Sequence, residues 1–274
     1  MKNKILQIIG ICILGLTSLV GCSKSDETVV KIGIVGGFDN AEWEHVNETL
    51  KSENIRVELV RFSDYAAPNR ALNDGEIDLN AFQHKAFLAN EIKQKGYKLT
   101  AIADTLIAPL AIYHNKDKIS SIEDIKDGDK IAIPSDLTNG GRALKLLEKA
   151  GIIECDPSKG VLPTKVDITK YHKKIEIIEG ESGTLANILP DCTAAIINGG
   201  NASVAGLSPK TDAIFIEDSN PQTNQAILDL INIIVARTED KDNPLYQKII
   251  QAYQTDDVKN IIETKHKGAY TCVW

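Results

Sequence analysis

The chain of 274 residues lacks the common signatures of hydrolytic, metal-dependent and nucleotide-driven catalysis. It has no G-x-S-x-G, H-E-x-x-H or Walker A pattern, so no enzymatic activity is expected. Histidine is scarce and scattered: His45, His84, His114, His172 and His266 form no H-x-H pair and no histidine-rich tract. A metal site needs several imidazoles and carboxylates to converge, so none is expected, and no cofactor is implied. Cysteine spacing matches no metal-ligand pattern either. Positive charge is not in excess: the formal charge is −7, which argues against nucleic acid and against a polybasic grip on anionic lipid. There is no internal repeat and no low-complexity segment.

What the N-terminus does contain is a targeting pattern. Lys2 and Lys4 form a basic start, and residues 5–20 are largely apolar but short of the roughly 20 residues of a comfortable membrane span. This reads as a signal peptide over 1–21. Leu19-Val20-Gly21-Cys22 fits a lipobox, in which cleavage precedes a cysteine that becomes acylated. Cys22 would then fix the protein to a membrane surface without spanning it. Residues 23–28 are polar and charged and are expected to form a flexible tether. Loss of 1–21 would leave 253 residues and remove Lys2 and Lys4, taking the formal charge from −7 to −9. Cys155, Cys192 and Cys272 remain, an odd number, and read as small buried residues or free thiols, with at most one bridge within the chain.

From residue 29 onward, apolar strand-like runs alternate with amphipathic helical segments, the pattern of α/β layers with mainly parallel sheets. Strands are expected over 29–35, 55–62, 77–81 and 97–103, with helices over 42–53, 68–73 and 86–95, the last closed by Gly96. A first crossing is expected at 106–114. A second set of units follows: a short helix at 121–126, strands at 130–134, 175–179, 194–198 and 213–216, and a helix at 141–150. Residues 152–174 read as a long loop, residues 230–236 as a buried strand forming the second crossing, and 243–254 and 256–264 as closing helices. The expected architecture is two α/β lobes joined by two crossings: residues 29–108 with 237–274, and residues 109–236.

Several stretches carry chemistry. Ile77-Asp78-Leu79-Asn80-Ala81-Phe82-Gln83-His84-Lys85 reads as a strand running directly into a helix, and such corners line the crevice where α/β sheets bind ligands. Phe82 offers an apolar face, and Gln83 and His84 offer donors and acceptors. An ordinary corner with Phe82 in the core and His84 solvated fits the same residues. Pro134-Ser135-Asp136-Leu137-Thr138-Asn139-Gly140-Gly141-Arg142 reads as a strand end, a glycine turn and a helix start, a place that favours an anion. Arg142 in the first turn would add a bidentate contact suited to a carboxylate, or would simply be solvated. Asn198 ends a buried strand and needs partners, from a ligand or from nearby backbone. Tyr65 and Phe82 suit an aromatic floor under an apolar side chain, or plain core packing.

With Asp64-Tyr65-Ala66-Ala67-Pro68-Asn69 upstream, Gly96-Tyr97-Lys98-Leu99 downstream and Asn139-Gly140-Gly141-Arg142 beyond, the stretch from Asn80 to Lys85, "NAFQHK", resembles the NlpA-type lipoprotein family. These are methionine-binding proteins of ABC importers, and the resemblance covers nearly all of the mature chain. It implies a type II periplasmic-binding-protein fold and extracytoplasmic capture of a small amino acid, methionine above others, by a monomer that serves an importer's permease and ATPase. It implies that Arg142 holds the α-carboxylate, that Asn198 and Asn232 hold the polar backbone, and that Tyr65, Phe82 and His84 surround the side chain. The extra residues 222–229 leave Asn224 as an alternative to Asn232. Ala108 stands where relatives often carry tyrosine, which leaves room for another small apolar amino acid or a methionine-containing dipeptide. A surface scaffold or adhesin, and a hydrolase acting on small peptides, are the rivals outside transport.

Overall fold

Two five-stranded sheets divide the chain, and each receives one strand running against the rest. The computed structural model describes residues 27–36, 40–220, 222–265 and 270–274. The expected signal peptide, Cys22 and most of the expected tether therefore lie outside the described residues. Thr28, expected in the tether, already belongs to the first strand.

The first lobe opens with β1 (Thr28–Val35), α1 (Ala41–Leu50), β2 (Ile55–Phe62), α2 (Ala67–Asn73), β3 (Leu79–His84), α3 (Lys85–Lys95) and β4 (Leu99–Asp104). A short β5 (Leu106–Ile107) leads out of it. The second lobe contains β6 (Leu110–His114), β7 (Lys130–Pro134), α4 (Leu137–Lys149), β8 (Ile153–Cys155), β9 (Ile168–Tyr171), β10 (Glu176–Gly180), α5 (Leu185–Ile188), β11 (Ala194–Asn198), α6 (Gly199–Val204), α7 (Pro209–Asp212) and β12 (Ala213–Ile216). The chain returns through β13 (Asn232–Arg237), α8 (Pro244–Tyr253), α9 (Asp256–Lys265) and β14 (Thr271–Cys272).

The sheet orders are β2-β1-β3-β13-β4 and β10-β7-β11-β6-β12. β1 is parallel to β2 and β3, and β7 is parallel to β10 and β11. The antiparallel strand in each sheet is the first one after a passage between lobes, β6 in the second and β13 in the first. This corrects the expectation at 230–236: the run is a strand, but it lies inside the first sheet between β3 and β4. The return passage is the segment before it, residues 217–231. The run reads as continuously apolar because both faces of an inner strand are covered, Ile234 and Ala236 by α1 and α8, and Ile233 and Val235 by α2 and α3.

Three further expectations change. Residues 152–174 are not a plain loop, since β8 and β9 pair as an antiparallel ribbon. The helix expected at 121–126 is a single 3-10 turn over Ile122–Asp124, held by a reciprocal Ser121–Asp124 cap. The strand expected at 77–81 starts two residues later and continues to His84. Cys155, Cys192 and Cys272 are buried and free. No described helix is long and apolar enough to cross a membrane.

Candidate functional site

β3 supplies one wall, and a bulge decides which of its side chains do what. Asn232 pairs with His84 and Ile233 with Gln83, but Val235 pairs with Asn80, so two residues of β3 oppose one of β13. Strict alternation would put Asn80 and Gln83 on opposite faces, and the extra residue brings them to the same one. There they form a buried amide cluster with Asn69. Asn69 Nδ2 donates to Gln83 Oε1 at 2.8 Å, and Gln83 Nε2 donates to Asn69 Oδ1 at 2.6 Å and Asn80 Oδ1 at 2.9 Å. Gln83, expected to offer its amide to a ligand, is therefore spent on holding the strand end to α2.

His84 is buried and is the N-cap of α3, its Nδ1 accepting from Phe87 N at 3.1 Å. The acceptor role of Nδ1 leaves the proton on Nε2, which meets Asn139 Oδ1 at 3.2 Å. Burial lowers the imidazole to about 4, with the charge of Arg142 acting in the same direction. His84 is thus neutral, with both ring nitrogens committed. The cap also sets Phe87 beside Phe82 and Tyr65. The rings of Tyr65 and Phe82 are 5.9 Å apart, and Phe87 meets both edge-on at 6.0 Å. Asp64 fixes Tyr65 at the entrance to α2 by accepting from Ala66 N and Ala67 N. The Tyr65 hydroxyl accepts from Asn201 Nδ2 at 3.0 Å. Burial pushes that phenol well above its ordinary value, and Asp136 adds to the rise.

The facing wall comes from α4, and here the sequence reading needs correction. The helix begins at Leu137 with Asp136 as its cap, so Gly140 and Gly141 are inside it and Arg142 lies in the second turn. The glycines are there for close approach: a Cβ on Gly140 would meet Pro134 O at 2.8 Å, and one on Gly141 would meet Val161 O at 2.9 Å. The anion at the helix N-terminus is the chain's own Asp136 carboxylate, which accepts from Asn139 N at 2.9 Å.

Asp136 also orients Asn139. Its carboxylate accepts from Asn139 Nδ2 at 3.0 Å, so Asn139 Oδ1 is turned toward His84 and toward Asn198 Nδ2, the latter at 2.8 Å. Asn198 is then oriented in turn, and its buried Oδ1 has no hydrogen-bond partner among the described residues. Arg142 is buried as well. Its Nε donates to Glu217 Oε1 at 2.7 Å, and its Nη2 bonds Glu217 Oε2 and donates to Ala108 O at 3.0 Å. The planar fork expected to clasp a ligand in bidentate fashion is occupied by Glu217, and Nη1 alone has no protein partner among the described residues.

Tyr65, Phe82, His84, Arg142, Asn198 and Asn232 line a single cavity of about 150 Å³ between the two sheets. Asn232 donates through Nδ2 to Leu106 O at 3.2 Å; Asn224 lies instead on a second hollow behind Arg142. Phe87, Asn139 and Asn201 also line the cavity, and Glu217 stands behind it. Phe87 carried a readable signal, an aromatic three residues after a capping histidine. Asn139 sat inside a motif read as a turn. Nothing local marks Glu217, which meets Arg142 from 75 residues away. The cavity has a ring-lined apolar part and a polar part with one free guanidinium nitrogen and one free amide oxygen. That suits a small molecule with an apolar arm, an anionic group and a hydrogen-bond donor. Among the described residues, no three His, Cys, Asp or Glu side chains are grouped to hold a metal ion.

Residues 30–274 match the family model described as NlpA lipoprotein. The D-methionine-binding lipoprotein MetQ of Salmonella typhimurium is 37% identical over 278 residues, covering 100% of this chain and 99% of that protein. A nutrient binding protein from Burkholderia cenocepacia bound to methionine superposes with a TM-score of 0.83 at 35% identity, over 89% of this chain and 100% of the other. The substrate binding protein of a methionine transporter from Streptococcus pneumoniae gives a TM-score of 0.84 at 37% identity, over 90% of this chain and 96% of the other.

Proposed function

The chain belongs to the NlpA lipoprotein family, and from that premise we propose that it captures methionine outside the cytoplasm and delivers it to an ABC importer without chemical turnover. The observation that carries the proposal is the pairing, within one cavity, of a cluster of three aromatic rings with a buried polar end. Contact between a thioether and aromatic rings contributes about 0.3–1.5 kcal/mol, which favours methionine over aliphatic side chains of similar length. The ligand's carboxylate would bond Arg142 Nη1, and its ammonium would donate to Asn198 Oδ1. Asn232 would complete the polar end, while Tyr65, Phe82 and Phe87 would enclose the side chain. His84 would hold the two walls in register through Asn139.

The cavity lies between the lobes, so a ligand that touches both walls binds the closed form better and shifts the population toward it. Closure would be the state the importer's permease and ATPase recognise. The protein would work as a monomer, tied to the membrane by acylated Cys22.

Isothermal titration with L- and D-methionine, other small apolar amino acids and methionine-containing dipeptides tests this, using protein unfolded and refolded to remove carried-over ligand. Saturable methionine binding, tighter than that of leucine or norleucine, is expected. Absence of binding to every member of the panel rejects the proposal.

A further inference from the structure

We propose that Glu217 is a specificity-determining residue that neutralises Arg142 from behind and so tunes the cavity to ligands of zero net charge, an inference that rests on the amino-acid capture proposed above. Both members of the pair are inaccessible, Arg142 at 7% exposure and Glu217 at 9%. Glu217 does not line the ligand cavity. It borders a separate hollow of about 120 Å³, and Arg142 borders both. The guanidinium is therefore a partition, with its counter-ion on one side and the ligand space on the other.

The bonding is directional. Nε and Nη2 point to the Glu217 carboxylate, and Nη2 also reaches Ala108 O, which commits three of the five N–H donors. Glu217 is itself pinned, because Leu110 N donates to Oε2 at 3.1 Å. Ala108 belongs to the outward passage between lobes, Leu110 begins β6 just beyond it, and Glu217 opens the return passage. The pair thus holds both passages together at the point where the guanidinium meets the ligand.

The consequence is a matter of buried charge. Arg142 and Glu217 sum to zero, and His84 is neutral. Among the described residues the carboxylate on the cavity wall is Glu42, which comes from α1 in the first lobe, and the Asp136 carboxylate stands behind Asn139. An isolated charge taken out of water is heavily penalised, whereas a zwitterion brings its own counter-charge. A ligand with a carboxylate but no ammonium would leave a net negative charge in the closed cavity. Without the Glu217 carboxylate the balance reverses: the partition would carry a full positive charge, and a monoanion would neutralise it.

The test compares methionine with its des-amino analogue, 4-(methylthio)butanoate, by calorimetric titration of wild type, Glu217→Gln and Glu217→Asp. Glutamine keeps the size of the side chain and removes its charge; aspartate keeps the charge with a shorter reach. The preference for methionine over the analogue is expected to fall by at least about tenfold in Glu217→Gln, as for uncovering a buried charge, and to stay near the wild-type value in Glu217→Asp. A purely structural role would weaken both ligands alike and leave their ratio where it was. An unmoved ratio in a folded Glu217→Gln protein overturns the inference while leaving amino-acid capture standing. If glutamine prevents folding, a Glu217→Asp protein whose preference collapses overturns it instead. Failure of wild type to bind any amino acid removes both proposals together.

Discussion

His84 Nε2 and Asn139 Oδ1 lie 3.2 Å apart across the cleft, one at the end of β3 and the other in the first turn of α4. The same oxygen accepts from Asn198 at 2.8 Å, so one amide sets the angle of the imidazole and the direction of the free Asn198 oxygen. Asn139→Leu would leave two buried N–H donors without an acceptor, at a cost of roughly 1–3 kcal/mol each. Methionine affinity is expected to fall at least about tenfold, because the Asn198 amide loses its reason to face one way. Titration calorimetry reads the affinity, and urea unfolding reads the accompanying loss of stability.

Arg142 and Glu217 separate stability from binding. Arg142→Met strands a buried carboxylate and is expected to cost about 3–5 kcal/mol in folding, together with the ligand's anionic contact. Replacing both, as Arg142→Met with Glu217→Leu, removes the stranded charge, so most of the stability should return. Methionine binding should not return. Thermal unfolding and titration of the two proteins, side by side, check the contrast; recovered binding in the double variant would take Arg142 out of the site.

The neutral imidazole makes a pH prediction with a definite sign. Burial, and then the charge of Arg142, lower His84 from an ordinary value of 6.5 to about 4. In that interval the unfolded chain binds a proton that the folded chain refuses, so stability rises with pH. The contribution is fully present above pH 6.5 and is lost as pH falls toward 4, at up to about 1.4 kcal/mol per unit. Urea midpoints measured across this window should decline more steeply for wild type than for His84→Gln. Parallel profiles would show that the proton goes elsewhere.

Gly141 tests the packing of α4 against the β8–β9 excursion. On helix propensity alone, glycine to alanine inside a helix stabilises by about 1 kcal/mol. Here the new Cβ would meet Val161 O at 2.9 Å, Leu162 Cα at 3.0 Å and Pro163 O at 3.2 Å, and backbone cannot swing aside as a side chain can. Gly141→Ala is therefore expected to destabilise by about 1–3 kcal/mol. A rise in the melting temperature would mean that residues 161–163 yield freely.

Some of this was legible before any coordinates. The strands at 55–62, 130–134, 194–198 and 213–216 begin and end where their apolar runs do. Gly96, at φ 73°, closes α3 as a C-terminal cap should. Six residues singled out along the chain, Tyr65, Phe82, His84, Arg142, Asn198 and Asn232, border one cavity. The helix start at Leu137 was not legible, because Asn-Gly-Gly is turn chemistry by local preference, and the need for glycine arises from the close approach of Pro134 O to Gly140 and of residues 161–163 to Gly141. The bulge in β3 was equally hidden, since a bulge is a relation between two strands and β13 lies about 150 residues further along the chain.

The sequence by itself determined the alternation of strands and helices, and with it two sheets flanked by helices, since the periods of side-chain burial are local properties of the chain. It also carried the resemblance to the family to which the chain belongs. Only the tertiary structure decided that β13 returns to the centre of the first sheet and that Asn139 orients both His84 and Asn198. It decided, too, that Glu217 claims the fork of Arg142 and leaves Nη1 without a partner among the described residues. Each of these is a contact between residues far apart in the chain, and its partner is chosen by burial: a donor or a charge removed from water must take whatever complement the fold brings within reach.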